Sequence, residues 1–129
     1  MMEGLSARLA CRTVTEKDLK ELRKLNLKLK TYVNAKDIRN SMKTDIRFHE
    51  HVAKVSGNGR LLTLLKNSLL TNLFCLSQRS ESFIEHGPET VAQHEMILEC
   101  IEKHDESCAE KAMRDQIRQG GKWILLSNE

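Results

Sequence analysis

Residues 44–58 read TDIRFHEHVAKVSGN and decide the fold, because two polar side chains occupy positions where helix periodicity requires apolar ones. Steps of three and four residues place Asp45 and His49 one turn apart on a single helix face. Burying a polar group without a partner costs roughly 2–7 kcal/mol. We therefore expect both side chains to have partners in the interior. The apolar members of the same face are Ile38, Met42 and Val52.

The end and the outer face of this predicted helix follow from the same stretch. Gly57 suits the left-handed position after a helix, and Asn58 can cap the helix that comes next. The opposite side of the helix carries a polar set that we expect to contact solvent: Thr44, Arg47, His51 and Lys54.

The rest of the chain predicts an all-α fold, an antiparallel bundle of about six helices in one domain. A chain of 129 residues is long enough to bury one core, and it lacks the short alternating runs typical of strands. The first helix is read in phase with Leu5 and Leu9. The second helix begins after Thr15, which can form a capping box with Asp18. The positions that we expect the second helix to bury are Leu22, Leu25, Leu29 and either Tyr32 or Val33.

The C-terminal half predicts three more helices. Residues 61–76 carry leucines on more than one side, which indicates a central helix or a dimer interface. Residues 78–87 are polar and predict a loop or a fraying helix, after which Pro88 suits the first position of a new helix. Asp105 can cap the last helix, which the glycine pair at 120–121 is expected to break or kink.

Composition restricts the classes of function. The net charge of +3 is mild, and nine basic against three acidic residues between Lys17 and Lys43 predict a solvated helix face. Scarce aromatic residues argue against a surface that stacks nucleic-acid bases. No segment is apolar for long enough to span a membrane, and the N-terminus lacks the pattern of a signal peptide. We expect a soluble protein.

The cysteines show no CxxC pair and none of the dense spacing of secreted scaffolds. We therefore expect reduced thiols in a cytoplasmic protein, packed as small core residues. The four positions are Cys11, Cys75, Cys100 and Cys108.

Four polar side chains are predicted to project into one interior: Asp45, His49, His94 and Gln116. His94 lies on an apolar stripe with Val91, Leu98 and Ile101, and Gln116 lies on the stripe of the last helix. Helical bundles bind ions with an i, i+4 pair on one helix and single ligands from others. Imidazole with carboxylate suits zinc, nickel, iron or manganese. The pattern predicts a metal site with Gln116 as the weakest ligand and with positions open to water or an anionic ligand.

The same residues are compatible with a metal-free core. His49 and His94 would then be hydrogen-bonded to Asp45 or to backbone carbonyl groups. His86 and His104 lie at predicted helix boundaries, where surface or capping roles are the natural interpretation.

Catalysis has little support in the sequence. Glu50 and Glu95 each follow a predicted ligand, but adjacent helical residues point about 100° apart, so neither can easily serve the same centre. The chain has no nucleophile elbow, phosphate-binding loop or HExxH motif. Two alternative functions are a metal-dependent hydrolase or other helical metalloenzyme, and a metal-free helical dimerisation module.

Several short motifs follow one another in a fixed order. Residues 3–10 read EGLSARLA, residues 15–22 contain TxxDLxxL, and residues 45–49 contain DxxFH. Three later elements are Ser56-Gly57-Asn58, the HxxI histidine His94, and Met113-Arg114. In this order the motifs resemble the FCD domain, the effector-sensing C-terminal domain of GntR-type bacterial transcription regulators.

The resemblance implies a ligand set and two departures from the family. Asp45, His49 and His94 match three of the family's four metal ligands, whereas Gln116 replaces the fourth, a histidine. One branch of the family lacks the metal and binds a larger ligand such as acyl-CoA. An arginine that family members often carry one turn before Glu3 would fall before the first residue, as would the family's winged helix-turn-helix domain.

These expectations combine into one functional prediction. Residues 1–129 form an FCD-like effector-binding domain that holds a divalent transition metal, namely zinc, nickel or manganese. The partners implied are a small-molecule carboxylate effector, a second copy in a homodimer, and DNA only through a domain absent from this chain. No membrane partner is expected.

Overall fold

The computed structural model describes residues 2–67 and 80–126, in which every secondary-structure element is helical. The helices are α1 (Met2–Thr13), α2 (Glu16–Asn34), α3 (Ile38–Val55), α4 (residues 59–67), α5 (Ser80–Glu102) and α6 (Glu106–Leu126). Short turns make α2 antiparallel to α3 and α5 antiparallel to α6. The predicted all-α bundle is confirmed.

The helix boundaries follow from capping chemistry, as predicted. Thr15 and Asp18 form a complete capping box at the start of α2. Gly57 has a φ of 75°, the left-handed conformation that glycine adopts without strain. The side chain of Asn58 accepts the backbone N–H three residues on (3.0 Å), and Asp105 does the same in α6 (3.1 Å).

The main core lies between five helices. α1 packs on α6 and α3, while α5 packs on α2 and α6. Phe48 and Leu22 are among the largest side chains fully removed from solvent. Small residues of α1, chiefly Ala7 and Ala10, allow this helix to approach its neighbours closely. The other buried members of the core include Leu19, Val52, Ile97, Ile101, Ala109 and Met113.

A second apolar cluster joins α4 to α3. Leu61 and Leu65 are buried against Ala53, whereas Leu64 is 54% exposed. Residues 68–76 of the predicted leucine-rich helix lie outside the described residues.

Two predicted helix limits are wrong. Residues 80–87 belong to α5, so Pro88 lies inside a helix and does not open one. Tertiary packing explains the difference, because a Cβ at Gly87 would lie 2.7 Å from the Val33 side chain, so α5 approaches α2 closely before the proline. Likewise α6 continues through the glycine pair at 120–121 to Leu126 and is not broken there.

Two predicted helix phases also need correction. Thr44 is buried, because α3 contacts α1, α2 and α5 and so buries more than one stripe. Its hydroxyl donates to the carbonyl of Asn40 (2.7 Å), which satisfies the polar group. In α1 the buried face passes through Ala7 and Ala10, and Leu5 is 43% exposed.

The expectation of four reduced thiols is wrong for two cysteines. Cys100 and Cys108 form a disulfide across the turn between α5 and α6, where their Cα atoms lie 5.5 Å apart. The sequence could not indicate this pair, because only the helical hairpin brings the two residues together. Cys11 is a free, buried thiol, as expected. Cys75 lies outside the described residues.

The outer surface agrees with the predicted solvated face. The exposed basic residues of α2 include Lys17, Lys20, Lys24 and Lys28. No helix within residues 2–67 and 80–126 is both long and apolar enough to cross a membrane.

Candidate metal centre

The structure brings the four sequence-predicted ligands together between three helices. α3 supplies Asp45 and His49, α5 supplies His94, and α6 supplies Gln116. The exposed fractions of His49, His94 and Gln116 are 3%, 0% and 7%. The Asp45 side chain retains 16% exposure. The site therefore lies inside the bundle with its carboxylate nearest to solvent.

Short distances link the polar atoms of the site. Oδ1 of Asp45 lies 2.9 Å from Nε2 of His94 and 3.3 Å from Nε2 of His49. These three residues offer ligand atoms that all lie within 4.8 Å of one another. Nε2 of Gln116 lies 3.2 Å from Nε2 of His94. All four predicted side chains thus belong to one contiguous polar cluster, which Gln116 joins through His94.

Local packing explains why the rings have these orientations. The helical spacing places Asp45 and His49 on adjacent turns of α3. Phe48, which lies between them in sequence, stacks on His94 with ring centroids 3.9 Å apart and planes 4° from parallel. A fully buried phenyl ring therefore forms one wall of the site and fixes the plane of the α5 histidine.

Each histidine has an oxygen acceptor beside its other ring nitrogen. Oε1 of Glu3 lies 3.1 Å from Nδ1 of His49. Oδ1 of Asn26 lies 3.2 Å from Nδ1 of His94. The Asn26 amide has a defined orientation, because its Nδ2 donates to the carbonyl of Val91 (3.2 Å). The Asn26 contact therefore places the ring proton of His94 on Nδ1, and the nearby Glu3 carboxylate favours a proton on Nδ1 of His49.

This tautomer leaves a conflict at the centre of the site. With protons on Nδ1, the Nε2 lone pairs of His49 and His94 point toward the lone pairs of Asp45. A second proton on His49 satisfies its contact with Asp45 but supplies no hydrogen to the His94 contact. Moving the His94 proton to Nε2 only transfers the conflict to Asn26. A cation between the three ligand atoms removes it.

Several buried polar atoms of the site lack hydrogen-bond partners, as expected where a metal ion would bind. Four polar atoms of the site are buried without a hydrogen bond of ordinary geometry: Oε1 of Glu3, Oδ1 of Asp45, Nδ1 of His49 and Oε1 of Gln116. Unsatisfied buried polar groups are rare in proteins and indicate a missing partner. A carboxylate, two imidazoles and a spare amide oxygen fit a first-row divalent metal.

Burial and charge act in opposition on the ionisable groups. Burial raises the pKa of Asp45, but interactions with His49 and His94 outweigh it and hold that pKa well below its usual range. Burial lowers the pKa of His49, yet the Asp45 and Glu3 carboxylates raise it to about 10. Burial lowers the pKa of His94 below its ordinary value. The metal-free centre therefore holds an ionised Asp45, a protonated His49 and a neutral His94.

Two residues of the site were missed at the level of sequence. Asn26 lies on the buried face of α2 with Leu19, Leu22 and Leu29. These residues are spaced by three or four positions, so helix periodicity could have predicted that Asn26 is buried. Glu3 shares the buried face of α1 with Ala7 and Ala10. The leucines of α1 predicted a different buried face for this helix, so the burial of Glu3 was not recognised.

The remaining titratable residues lie outside the centre. Glu50 and His51 line a surface groove between α2 and α3, and Glu95 lines another between α2 and α5. Nδ1 of His104 lies 2.7 Å from the Cys11 carbonyl oxygen, so this histidine has the structural role predicted for it. His86 lies inside α5 and not at a helix boundary.

Comparison with known proteins agrees with the architecture. The solved structure of E. coli McbR/YncC superposes with a TM-score of 0.86 at 17% sequence identity, covering 98% of this chain. The likeness at this identity concerns the fold alone. This chain spans 63% of the length of that protein chain. No curated protein sequence matches the chain. The family model described as the FCD domain matches residues 1–119, so the chain belongs to the FCD domain family, as its motifs predicted.

Proposed function

We propose that this chain is the effector-sensing domain of a GntR-type transcription regulator and that its core holds a divalent transition metal. Asp45, His49 and His94 are the principal ligands, and the amide oxygen of Gln116 is a weak fourth. The effector is a small organic acid that binds through its carboxylate. A DNA-binding domain outside this chain reads the state of the centre.

One observation carries the proposal. Oδ1 of Asp45 lies 2.9 Å from Nε2 of His94, whose ring proton is directed to the far side of the ring by Asn26. While His94 is neutral, as its lowered pKa favours, its single ring proton can serve either the Asp45 contact or the Asn26 contact but not both contacts. A metal ion satisfies both contacts at once.

The bound metal would supply Lewis-acidic positions for a carboxylate. The chain's own residues determine which ligand can reach these positions. Asp45 provides the negative charge, Phe48 forms an apolar wall, and Oε1 of Gln116 would be the weak fourth ligand. The centre is almost closed to solvent, which favours a compact acid over a long-chain ligand.

The metal is tested by elemental analysis of protein purified without chelators. Wild type is expected to contain about one equivalent of zinc, nickel or manganese, and His94→Ala is expected to lose it. His51→Ala is the matched control, since this histidine lies on α3 outside the centre. A wild type without metal, whose melting temperature does not respond to the three added ions, would establish the metal-free alternative.

The effector class is tested by thermal melts with a panel of mono- and dicarboxylates. Ligands of the folded state stabilise it by mass action. We expect acids to raise the melting temperature of metal-loaded protein and to have no effect after chelation. Equal shifts with and without metal would refute binding through the metal.

The homodimer is part of the same proposal. Leu64 on α4 is 54% exposed beside the buried Leu61 and Leu65, and we place the subunit contact on this exposed side of α4. Sedimentation equilibrium should give twice the mass of the chain, and Leu64→Glu should shift the equilibrium toward monomer. A wild type that is monomeric at all concentrations tested would contradict the dimer.

A further inference from the structure

We propose that Glu3 is a positioning residue for the metal centre: its carboxylate holds the Nδ1 proton of His49 and so directs Nε2 toward Asp45. This inference rests on the proposed function, because it assigns Glu3 a role in shaping one of the proposed ligands.

The placement of Glu3 carries the inference. Its exposed fraction is 5%, although it lies in the first turn of α1. Ala7 and Ala10, further along the same face, are completely buried and fix the helix against its neighbours. Oε1 of Glu3 lies 3.1 Å from Nδ1 of His49 and has no hydrogen bond of ordinary geometry among the described residues. A buried carboxylate requires a partner, and the imidazole N–H is within reach.

Glu3 acts through the histidine and not on the metal itself. Its oxygen lies beside Nδ1, whereas Asp45 lies beside Nε2 of the same ring. The cluster of ligand atoms within 4.8 Å of one another contains Asp45, His49 and His94 without Glu3. The glutamate therefore supports a ligand from the outer side.

A carboxylate in this position has two effects. A hydrogen bond to the remote ring nitrogen makes the imidazole a stronger donor, and it fixes the orientation of the ring. The charge of Glu3 adds to that of Asp45, so that two carboxylates face the two charges of a divalent ion. His94 has only the neutral Asn26 amide in the equivalent place. The structure thus makes His49 the stronger of the two imidazole ligands.

The test uses Glu3→Gln and Glu3→Ala in the full chain, with Glu110→Gln as the matched control. Glu110 also links α1 to the rest of the bundle, through a 2.8 Å ion pair with Arg8, but belongs to the outer surface of α6. The control therefore removes a carboxylate that contacts α1 without touching the proposed ligands. Glutamine at position 3 retains an acceptor oxygen, so its effect should be smaller than that of alanine.

Metal affinity is the first readout. A competition titration with a chromophoric chelator should show zinc binding weakened about 10-fold by Glu3→Gln and up to about 100-fold by Glu3→Ala, the usual range for second-layer partners of metal-binding histidines. Glu110→Gln should bind zinc as tightly as wild type. Wild-type affinity in Glu3→Ala would overturn the inference.

The second readout needs no metal. Imidazole proton–nitrogen correlation spectra of chelated protein should show an exchange-protected Nδ1–H signal for His49, shifted in Glu3→Gln, lost in Glu3→Ala and retained in Glu110→Gln. An unchanged signal in Glu3→Ala would refute the contact. A wild type that takes up no zinc overturns the proposed metal function, and the imidazole spectra then decide the role of Glu3 by themselves.

Discussion

Replacing Gln116 by histidine should strengthen metal binding at the proposed centre. Gln116 is 7% exposed and its Nε2 lies 3.2 Å from Nε2 of His94, so position 116 already faces the ligand atoms. An amide oxygen is a neutral and weak ligand for a first-row metal, whereas imidazole is among the strongest. Gln116→His therefore adds a third imidazole to the carboxylate and two imidazoles already present.

The magnitude follows from the change of ligand. We expect affinity to rise about tenfold or more, which is on the order of 1.4 kcal/mol. Histidine and glutamine have similar sizes, so the packing cost within α6 should stay below about 1.5 kcal/mol, as for other volume-conserving changes. In saturating zinc the full gain in affinity stabilises the folded state. For a domain of this length, a gain of that size makes the zinc-induced rise in melting temperature about 5 °C larger in Gln116→His than in wild type.

The assay is a chelator competition titration of wild type and Gln116→His, with melts in zinc and in chelator. Arg118→His serves as the control, because Arg118 is an exposed residue of α6 two positions from Gln116 and so lies on another face of the helix. The gain should appear for position 116 alone and only in zinc. Equal affinities of wild type and Gln116→His would place residue 116 outside the coordination sphere and refute the argument.

Three further experiments test the fold. Phe48→Ala should lower the free energy of unfolding by about 3–5 kcal/mol in urea denaturation with chelator, because it removes a fully buried ring. Leu27→Ala is the control: Leu27 is 66% exposed, so this change should alter the free energy of unfolding by less than about 0.5 kcal/mol. Thr15→Ala removes the capping box of α2 and should cost about 1 kcal/mol in the same experiment; no change would show that the cap is dispensable. Burial raises the pKa of the Cys11 thiol to about 11. Alkylation of Cys11 at pH 8, followed by peptide mass spectrometry, should therefore be slow until the protein is denatured, and it should accelerate as the pH rises. Rapid labelling of Cys11 in the folded protein would contradict the buried thiol.

Local chemistry explains which parts of the fold could be predicted. Capping residues act within a few positions of the chain, so Thr15 and Gly57 marked their helix boundaries correctly. Pro88 misled because its usual preference for the first turn of a helix is a local rule. The packing of Gly87 on Val33 is a contact between distant segments, and no local pattern contains it.

The candidate centre could be predicted where polar residues interrupt an apolar period. Asp45, His49 and His94 each occupy a position of a helix seam that would otherwise be apolar, and the structure places them side by side. Asn26 interrupts the seam of α2 in the same way. Glu3 was harder to recognise, because its helix buries small alanines and leaves Leu5 exposed. Hydrophobicity alone gives the wrong phase for such a helix.

Convergence of six polar side chains explains how the centre could act on the whole domain. Glu3, Asn26, Asp45, His49, His94 and Gln116 come from α1, α2, α3, α5 and α6. Buried polar groups destabilise the fold unless their contacts are satisfied, so the state of the centre affects every helix that contributes one. Under the proposed function, a ligand that completes these contacts tightens α1 through Glu3 and His49. Hydrogen exchange of the first turns of α1 should then slow when metal binds in wild type, and this protection should be lost in Glu3→Ala.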